Sequence, residues 1–216
     1  YSGPSSGLGG VRAALHPAAA RRRGMGGLGA GTLAAYGKAG DVVRFYEINP
    51  QVVAIARTRF HYLGESRAKV EVALGDARLS LEREPPQRFD VLAIDAFSGD
   101  AIPTHLLSAE AMDAYLRHLQ PDGAILFHVT NRYLDLAPVV ARLAASRGLR
   151  AGLIGYEPTD DEEELYYYSS SDWVVVTRNK ALLAEPAVAK VVKPIEVSES
   201  TPLWTDDFNN LVRVLK

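Results

Sequence analysis

Three glycines, Gly27, Gly29 and Gly31, punctuate the stretch Gly26-Gly27-Leu28-Gly29-Ala30-Gly31-Thr32, and an acid, Glu47, follows twenty residues beyond Gly27. A glycine loop lets backbone approach a ligand closely, and an acid at that spacing can take two ribose hydroxyls. Farther on, Gly75-Asp76-Ala77 supplies a carboxylate that can read the amino group of an adenine. The ordered trio points to a pocket for an adenosyl ligand. Each member also has a plainer reading: a tight strand-to-helix turn for the glycines, a surface acid for Glu47, a helix cap for Asp76. Gly24-Met25-Gly26-Gly27-Leu28-Gly29 also fits the dinucleotide pattern G-x-G-x-x-G, and a nicotinamide reader would use the same Glu47. Asp76 together with Asp95 argues against that reading.

Asp95 is the candidate catalytic residue. It ends Phe89-Asp90-Val91-Leu92-Ala93-Ile94-Asp95, so an apolar strand delivers a carboxylate to the ligand side. Such a carboxylate attracts a cationic amine and accepts its proton; the competing reading is a loop-ordering aspartate. The loop after it, Ala96 to Pro103, can wrap a second substrate and contains Ser98 and Asp100. No metal is expected, because His105, His118 and His128 lack ligand spacing, and His128 reads as a core or rim residue.

The elements that must position these groups alternate in period. Strand-length apolar runs occur at 42–47, 69–73, 89–95 and 124–129, with helical patterns at 32–36, 50–62, 105–119 and 136–146. Pro50 suits a helix start and Asn49 before it can cap. This alternation predicts an α/β fold: a mostly parallel sheet with helices on both faces. The first strand must be 21–26, although three arginines and two glycines suit a central strand poorly. Strand-like runs at 151–155 and 173–177 predict an antiparallel edge hairpin at the C-terminal side. Between them an acidic run at 160–164 and Tyr166-Tyr167-Tyr168 read as a solvated loop, with a negatively charged lid as the sharper alternative.

A chain of 216 residues, 47% hydrophobic, can bury a full core most simply as one domain, 1–216. A net charge of −2 carries no footprint for nucleic acid, and Arg21-Arg22-Arg23, the one dense basic cluster, reads as solvated. The absence of cysteine excludes disulfides and thiolate chemistry and fits a reducing compartment, so a cytoplasmic location is expected. No apolar run reaches the roughly 20 residues of a membrane span. The opening Tyr1–Gly7 reads as mid-loop, so an upstream segment is expected.

Gly27-x-Gly29-x-Gly31, Glu47-Ile48-Asn49, Gly75-Asp76-Ala77 and Asp90–Asp95 together resemble the spermidine synthase (polyamine aminopropyltransferase) family, across most of residues 1–150. The resemblance implies the Rossmann-like fold of class I S-adenosylmethionine-dependent methyltransferases. It also implies S-adenosylmethionine or its decarboxylated form as co-substrate, a small amine as acceptor, and a possible homodimer. By that likeness Glu47 with Ile48 holds the ribose, Asp76-Ala77 the adenine, and Asp95 deprotonates the attacking amine, with Ser98 and Asp100 near the substrate. Two departures stand out. Gly29 occupies the place of an aspartate that grips the aminopropyl chain, and Ser98 that of a second substrate aspartate, with Asp100 displaced by two. The tail Trp204–Asn210 and the Tyr1–Gly9 loop are similar to spermidine synthase-like domains that bacteria fuse to membrane transporter segments. Methyl transfer to a small molecule, and a non-catalytic nucleoside sensor attached to a membrane protein, are the alternative readings.

Overall fold

The computed structural model describes residues 21–96, 103–161, 164, 169–198 and 200–216. The lid expectation at 160–168 falls largely outside these residues, as do the opening loop, Ser98 and Asp100. Eight strands form one sheet: β1 (Arg22–Gly26), β2 (Val42–Glu47), β3 (Lys69–Leu74), β4 (Phe89–Ile94), β5 (Leu119–His128), β6 (Arg150–Tyr156), β7 (Ser171–Thr177) and β8 (Val192–Lys193). Their order is β3-β2-β1-β4-β5-β7-β6-β8. The first five pair in parallel, while β7 runs antiparallel to both β5 and β6. This is a mostly parallel, Rossmann-like sheet of the class I methyltransferase type.

The predicted hairpin forms but does not make the edge. β7 slots between β5 and β6, and the edge is β8, whose two residues are too few to leave a periodic signal. Helices cover both faces because strand residues alternate between two cores. Leu92, Ile94, Ile125 and Phe127 face α2 (Ala77–Arg83), α3 (Ala109–Arg117) and α4 (Ala137–Ser146). Val91, Ala93, Leu126 and Val175 face α1 (Pro50–Arg59), α5 (Lys180–Ala184), α6 (Pro186–Ala189) and a 3₁₀ turn at Thr32–Tyr36. α1 starts as expected, with Pro50 in its first turn and Asn49 accepting the N–H of Gln51. It ends at Arg59, three residues short of the predicted end; α3 begins at Ala109, capped by Ser108, four residues later than predicted.

β1 is central despite its arginines, and the expectation of a solvated basic cluster is wrong. Arg23 is buried, and its Nη2 donates to Asp41 Oδ2 at 3.0 Å. Asp41, itself 3% exposed, also accepts the N–H of Arg21 and of Lys38. Arg22 lies over the Phe89 ring, and its N–H donates to Asp90 Oδ2. Gly24 leaves room for Phe89, whose ring would lie 2.7 Å from an added Cβ. A charged strand is thus accommodated by Asp41 just before β2, by Glu71 on β3, 3.6 Å from the Arg22 guanidinium, and by one aromatic ring on a neighbouring strand.

Burial pushes the Asp41 carboxyl up, but the Lys38 and Arg21 amides and the Arg23 guanidinium outweigh it and hold it below the usual range. Breaking a buried pair from one side leaves the other charge uncompensated. Asp41→Ala is therefore expected to cost about 3 kcal/mol, read as a lowered midpoint of urea denaturation. An unchanged midpoint would show that the pair does not hold β1 in place.

Candidate functional site

The parallel register brings the carboxyl ends of four adjacent strands level. Gly26 pairs with Tyr46 and with Ile94, and Glu47 with Leu74. The residues just past these ends are Gly27, Ile48, Gly75 and Asp95, set on strands about 4.8 Å apart. Strand order reverses between β1 and β4, which is where open α/β sheets bind ligands.

Gly27 closes the rim. It has φ 107°, and an added Cβ would lie 2.2 Å from the Asp95 carbonyl oxygen, so only glycine lets the loop pass over the end of β4. The Asp95 N–H donates to the Gly26 carbonyl at 2.8 Å and the Gly27 N–H to the Tyr46 carbonyl at 2.9 Å. Gly29 is exposed with open space around it, and Gly31 caps the 3₁₀ turn in a left-handed conformation. The turn that follows the loop is thus 3₁₀, too short to project a strong helix dipole.

Glu47 is buried at the end of β2. Its Oε2 accepts the Leu28 N–H at 3.1 Å and its Oε1 the Asn49 N–H at 2.9 Å. A carboxylate offers about four lone-pair directions, so each oxygen keeps capacity for a further donor such as a hydroxyl. Ile48, next to it, is 69% exposed, an apolar surface beside that acceptor. Gly75 ties to the same strand end, its N–H donating to the Glu47 carbonyl at 2.8 Å.

Asp76 is a helix cap, the plainer of its two readings. Its Oδ1 accepts the Leu79 N–H at 2.9 Å at the start of α2, and its Oδ2 lies 3.0 Å from His105 Nε2. Capping does not exhaust the carboxylate, which retains capacity on both oxygens. Burial pushes it up, but the Leu79 amide and His105 hold it below the ordinary range. Ala77 opens α2 and is buried, its Cβ 3.1 Å from where a Gly26 Cβ would sit, so the helix start abuts the end of β1.

Asp95 Oδ1 lies 2.8 Å from His128 Nδ1, at the ends of β4 and β5. The His128 ring packs against Trp173 at a tilt of 30°, centroids 4.8 Å apart, because Trp173 is its direct cross-strand partner on β7. His128 also lines a narrow apolar cleft with Ile94, Ala96, Pro103, Leu106, Leu107 and Phe127. Sequence reasoning placed His128 at the rim but missed its pairing with Asp95, because the β5–β7 register is long-range. His118, in contrast, is a fully buried core residue, its Nδ1 accepting the Gln87 N–H and its Nε2 facing the Leu81 carbonyl.

A clasp behind the rim also escaped the sequence. Buried Arg78, on α2, donates to both oxygens of Asp206 at 2.6 and 2.5 Å, to the His105 carbonyl at 2.7 Å, and to Ser108 and Glu82. It thereby ties the C-terminal tail, anchored by fully buried Trp204, to the helix that carries Asp76. The glycine loop, Glu47, Asp76 and Asp95 therefore share one rim, while Ser98 and Asp100 lie outside the described residues.

No family model matches the chain. A polyamine aminopropyltransferase from Vibrio vulnificus is 32% identical over 82 residues, 37% of this chain and 27% of that protein, so the match spans about a quarter of the relative's length. Among solved structures, a probable spermidine synthase from Corynebacterium glutamicum superposes with a TM-score of 0.59 at 19% identity, covering 91% of this chain and 80% of that one. Human methyltransferase-like protein 13, in complex with SAH, gives 0.59 at 16% identity, covering 90% and 94%. Spermidine synthase from Thermotoga maritima gives 0.56 at 18%, covering 87% and 65%. At these identities the structural likeness shows the class I methyltransferase fold. Among the described residues, no helix is long and apolar enough to cross a membrane.

The clasp carries a pH signature. The Arg78 guanidinium pulls the Asp206 carboxyl down to about 2, with burial opposing. A depressed folded pKa contributes stability that is present above the unfolded value near 4 and is lost as pH falls toward 2. Asp206→Asn should therefore be less stable than wild type at pH 6, and the gap should close between about pH 4 and 2. Urea denaturation followed by tryptophan fluorescence checks this; a gap independent of pH would remove the charge from the clasp.

Proposed function

We propose that the chain binds an adenosyl sulfonium, S-adenosylmethionine or its decarboxylated form, and transfers a carbon group from it to a small amine. The observation that carries this reading is Glu47. Its carboxylate holds the glycine loop through Leu28 and keeps acceptor capacity for two ribose hydroxyls, level with Asp76 and Asp95. Ile48 offers an apolar face for the base, and Asp76 with the first N–H of α2, at Ala77, matches an adenine edge that both donates and accepts. Asp95 supplies negative charge where the attacking nitrogen loses its proton. The sulfonium leaves as a neutral thioether and needs no acid, so positioning does most of the work.

The transferred group is read as aminopropyl, supported by the sequence match to a polyamine aminopropyltransferase and by the fold likeness to spermidine synthases. A second reading, methyl transfer, is favoured by Gly29, which offers open space where an aminopropyl-gripping aspartate would stand. The products separate the two: aminopropyl transfer releases methylthioadenosine, methyl transfer adenosylhomocysteine. Calorimetric titration with both cofactors is expected to give saturable binding to at least one. Binding to neither would end the reading.

Asp76→Asn separates capping from recognition. Asparagine caps as well as aspartate, so stability should change by less than about 0.5 kcal/mol. One amide oxygen cannot replace both carboxylate oxygens, so adenosyl affinity should fall about tenfold, a loss of about 1.4 kcal/mol. Equal affinity in the two proteins would assign Asp76 to capping alone. Asp95→Asn is expected to lower turnover at least about 100-fold while adenosyl binding stays within about twofold. Undiminished turnover would remove Asp95 from the chemistry.

A further inference from the structure

The geometry points to His128 as the group that takes the acceptor's proton, with Asp95 as its positioning carboxylate. This rests on the transferase reading above and extends it by one residue and one proton path.

Three constraints fix the imidazole. Asp95 Oδ1 sits 2.8 Å from Nδ1, and an ionised carboxylate can only accept, so the neutral ring carries its proton on Nδ1. The lone pair then resides on Nε2. Trp173, fully buried on β7, packs against the ring in a tilted arrangement, centroids 4.8 Å apart, and restricts its rotation. The β5–β7 pairing places His128 opposite Trp173 at the last rung, so the ring stands at the strand end beside Asp95. A carboxylate behind an imidazole holds the tautomer and stabilises the imidazolium that forms when the ring takes up a proton. An indole ring at this distance favours that cation as well.

The ring also lines the cleft. Around it are Ile94, Ala96, Pro103, Leu106, Leu107 and Phe127, all apolar, so among the described residues of that lining His128 is the titratable side chain that a nucleophile at the cleft mouth meets. Histidine is the side chain whose ordinary pKa lies near neutral pH, so it can both accept the proton and return it to solvent. The step balances as follows. The acceptor nitrogen's lone pair attacks the carbon on the sulfonium, and the C–N bond forms. The C–S bond breaks with its electron pair going to sulfur, which leaves as a neutral thioether. The nitrogen's proton passes to Nε2, and the imidazolium beside Asp95 later gives it to water.

The test reads the tautomer directly and does not require turnover. Protein labelled with ¹⁵N-histidine is studied by long-range ¹H–¹⁵N correlation at pH 8, the His128 ring being assigned by its disappearance in His128→Gln. The expected result is an Nδ1–H tautomer with an unprotonated Nε2, and a shift toward the Nε2–H form in Asp95→Ala. An Nε2–H tautomer in the wild-type protein overturns the proposal. In turnover, His128→Gln is expected to lose at least about 100-fold in rate with S-adenosylhomocysteine affinity within about twofold of wild type; an unchanged rate overturns it as well. Failure of S-adenosylhomocysteine to bind the wild-type protein would refute the transferase reading, and with it this proton path, whereas a wrong tautomer refutes the path alone.

Discussion

The carboxylate of Glu47 holds two backbone segments at once, the loop after β1 through the Leu28 N–H and the approach to α1 through the Asn49 N–H. Those two segments flank the reversal point of the sheet, so the shape of the rim follows from one buried acid. A buried carboxylate is costly unless hydrogen-bonded, and here the backbone amides that stabilise it are those of the candidate ligand-binding loop. Loop conformation and acid placement therefore depend on each other. The loop can sit so close to β4 only because position 27 is glycine, which lets it pass over the Asp95 carbonyl. Asp95 enters the same rim through that contact.

Behind the rim lie two supports made of paired charges. Arg23 and Asp41 hold β1 in the middle of the sheet from the opposite end of the strand, and Arg78 with Asp206 fixes the helix that begins at Asp76. These pairs differ in character. The first is buried on both sides, so losing either member strands a charge. The second has its aspartate partly exposed, and its contribution follows protonation. Each supports the candidate rim from behind.

Where an element's own residues decided its structure, the sequence was legible. The apolar runs ending at Glu47 and Ile94 became strands with nearly the expected bounds, and Asn49-Pro50 started a helix as a cap and first-turn proline do. The glycine loop, Glu47, Asp76 and Asp95 all arrived on one rim because parallel pairing in register places strand ends together. What escaped was set by partners distant in sequence. Arg21-Arg22-Arg23 looked solvated because its neutralising acids, Asp41 just before β2 and Glu71 on β3, and its aromatic cover, Phe89 on β4, all lie on other elements. His128 looked like an ordinary rim residue because Asp95 and Trp173 meet it through pairing across three strands. β8, with two residues, had no period to detect.

The account stands on a nucleoside binding at the rim beside Glu47. Titrating ¹⁵N-labelled protein with S-adenosylhomocysteine and following backbone amides tests this most directly. Saturable shifts concentrated at Leu28, Asn49 and Ala77, the amides that surround the acid and open α2, are the predicted result. Amides at those three positions that stay unmoved at saturating ligand would contradict it.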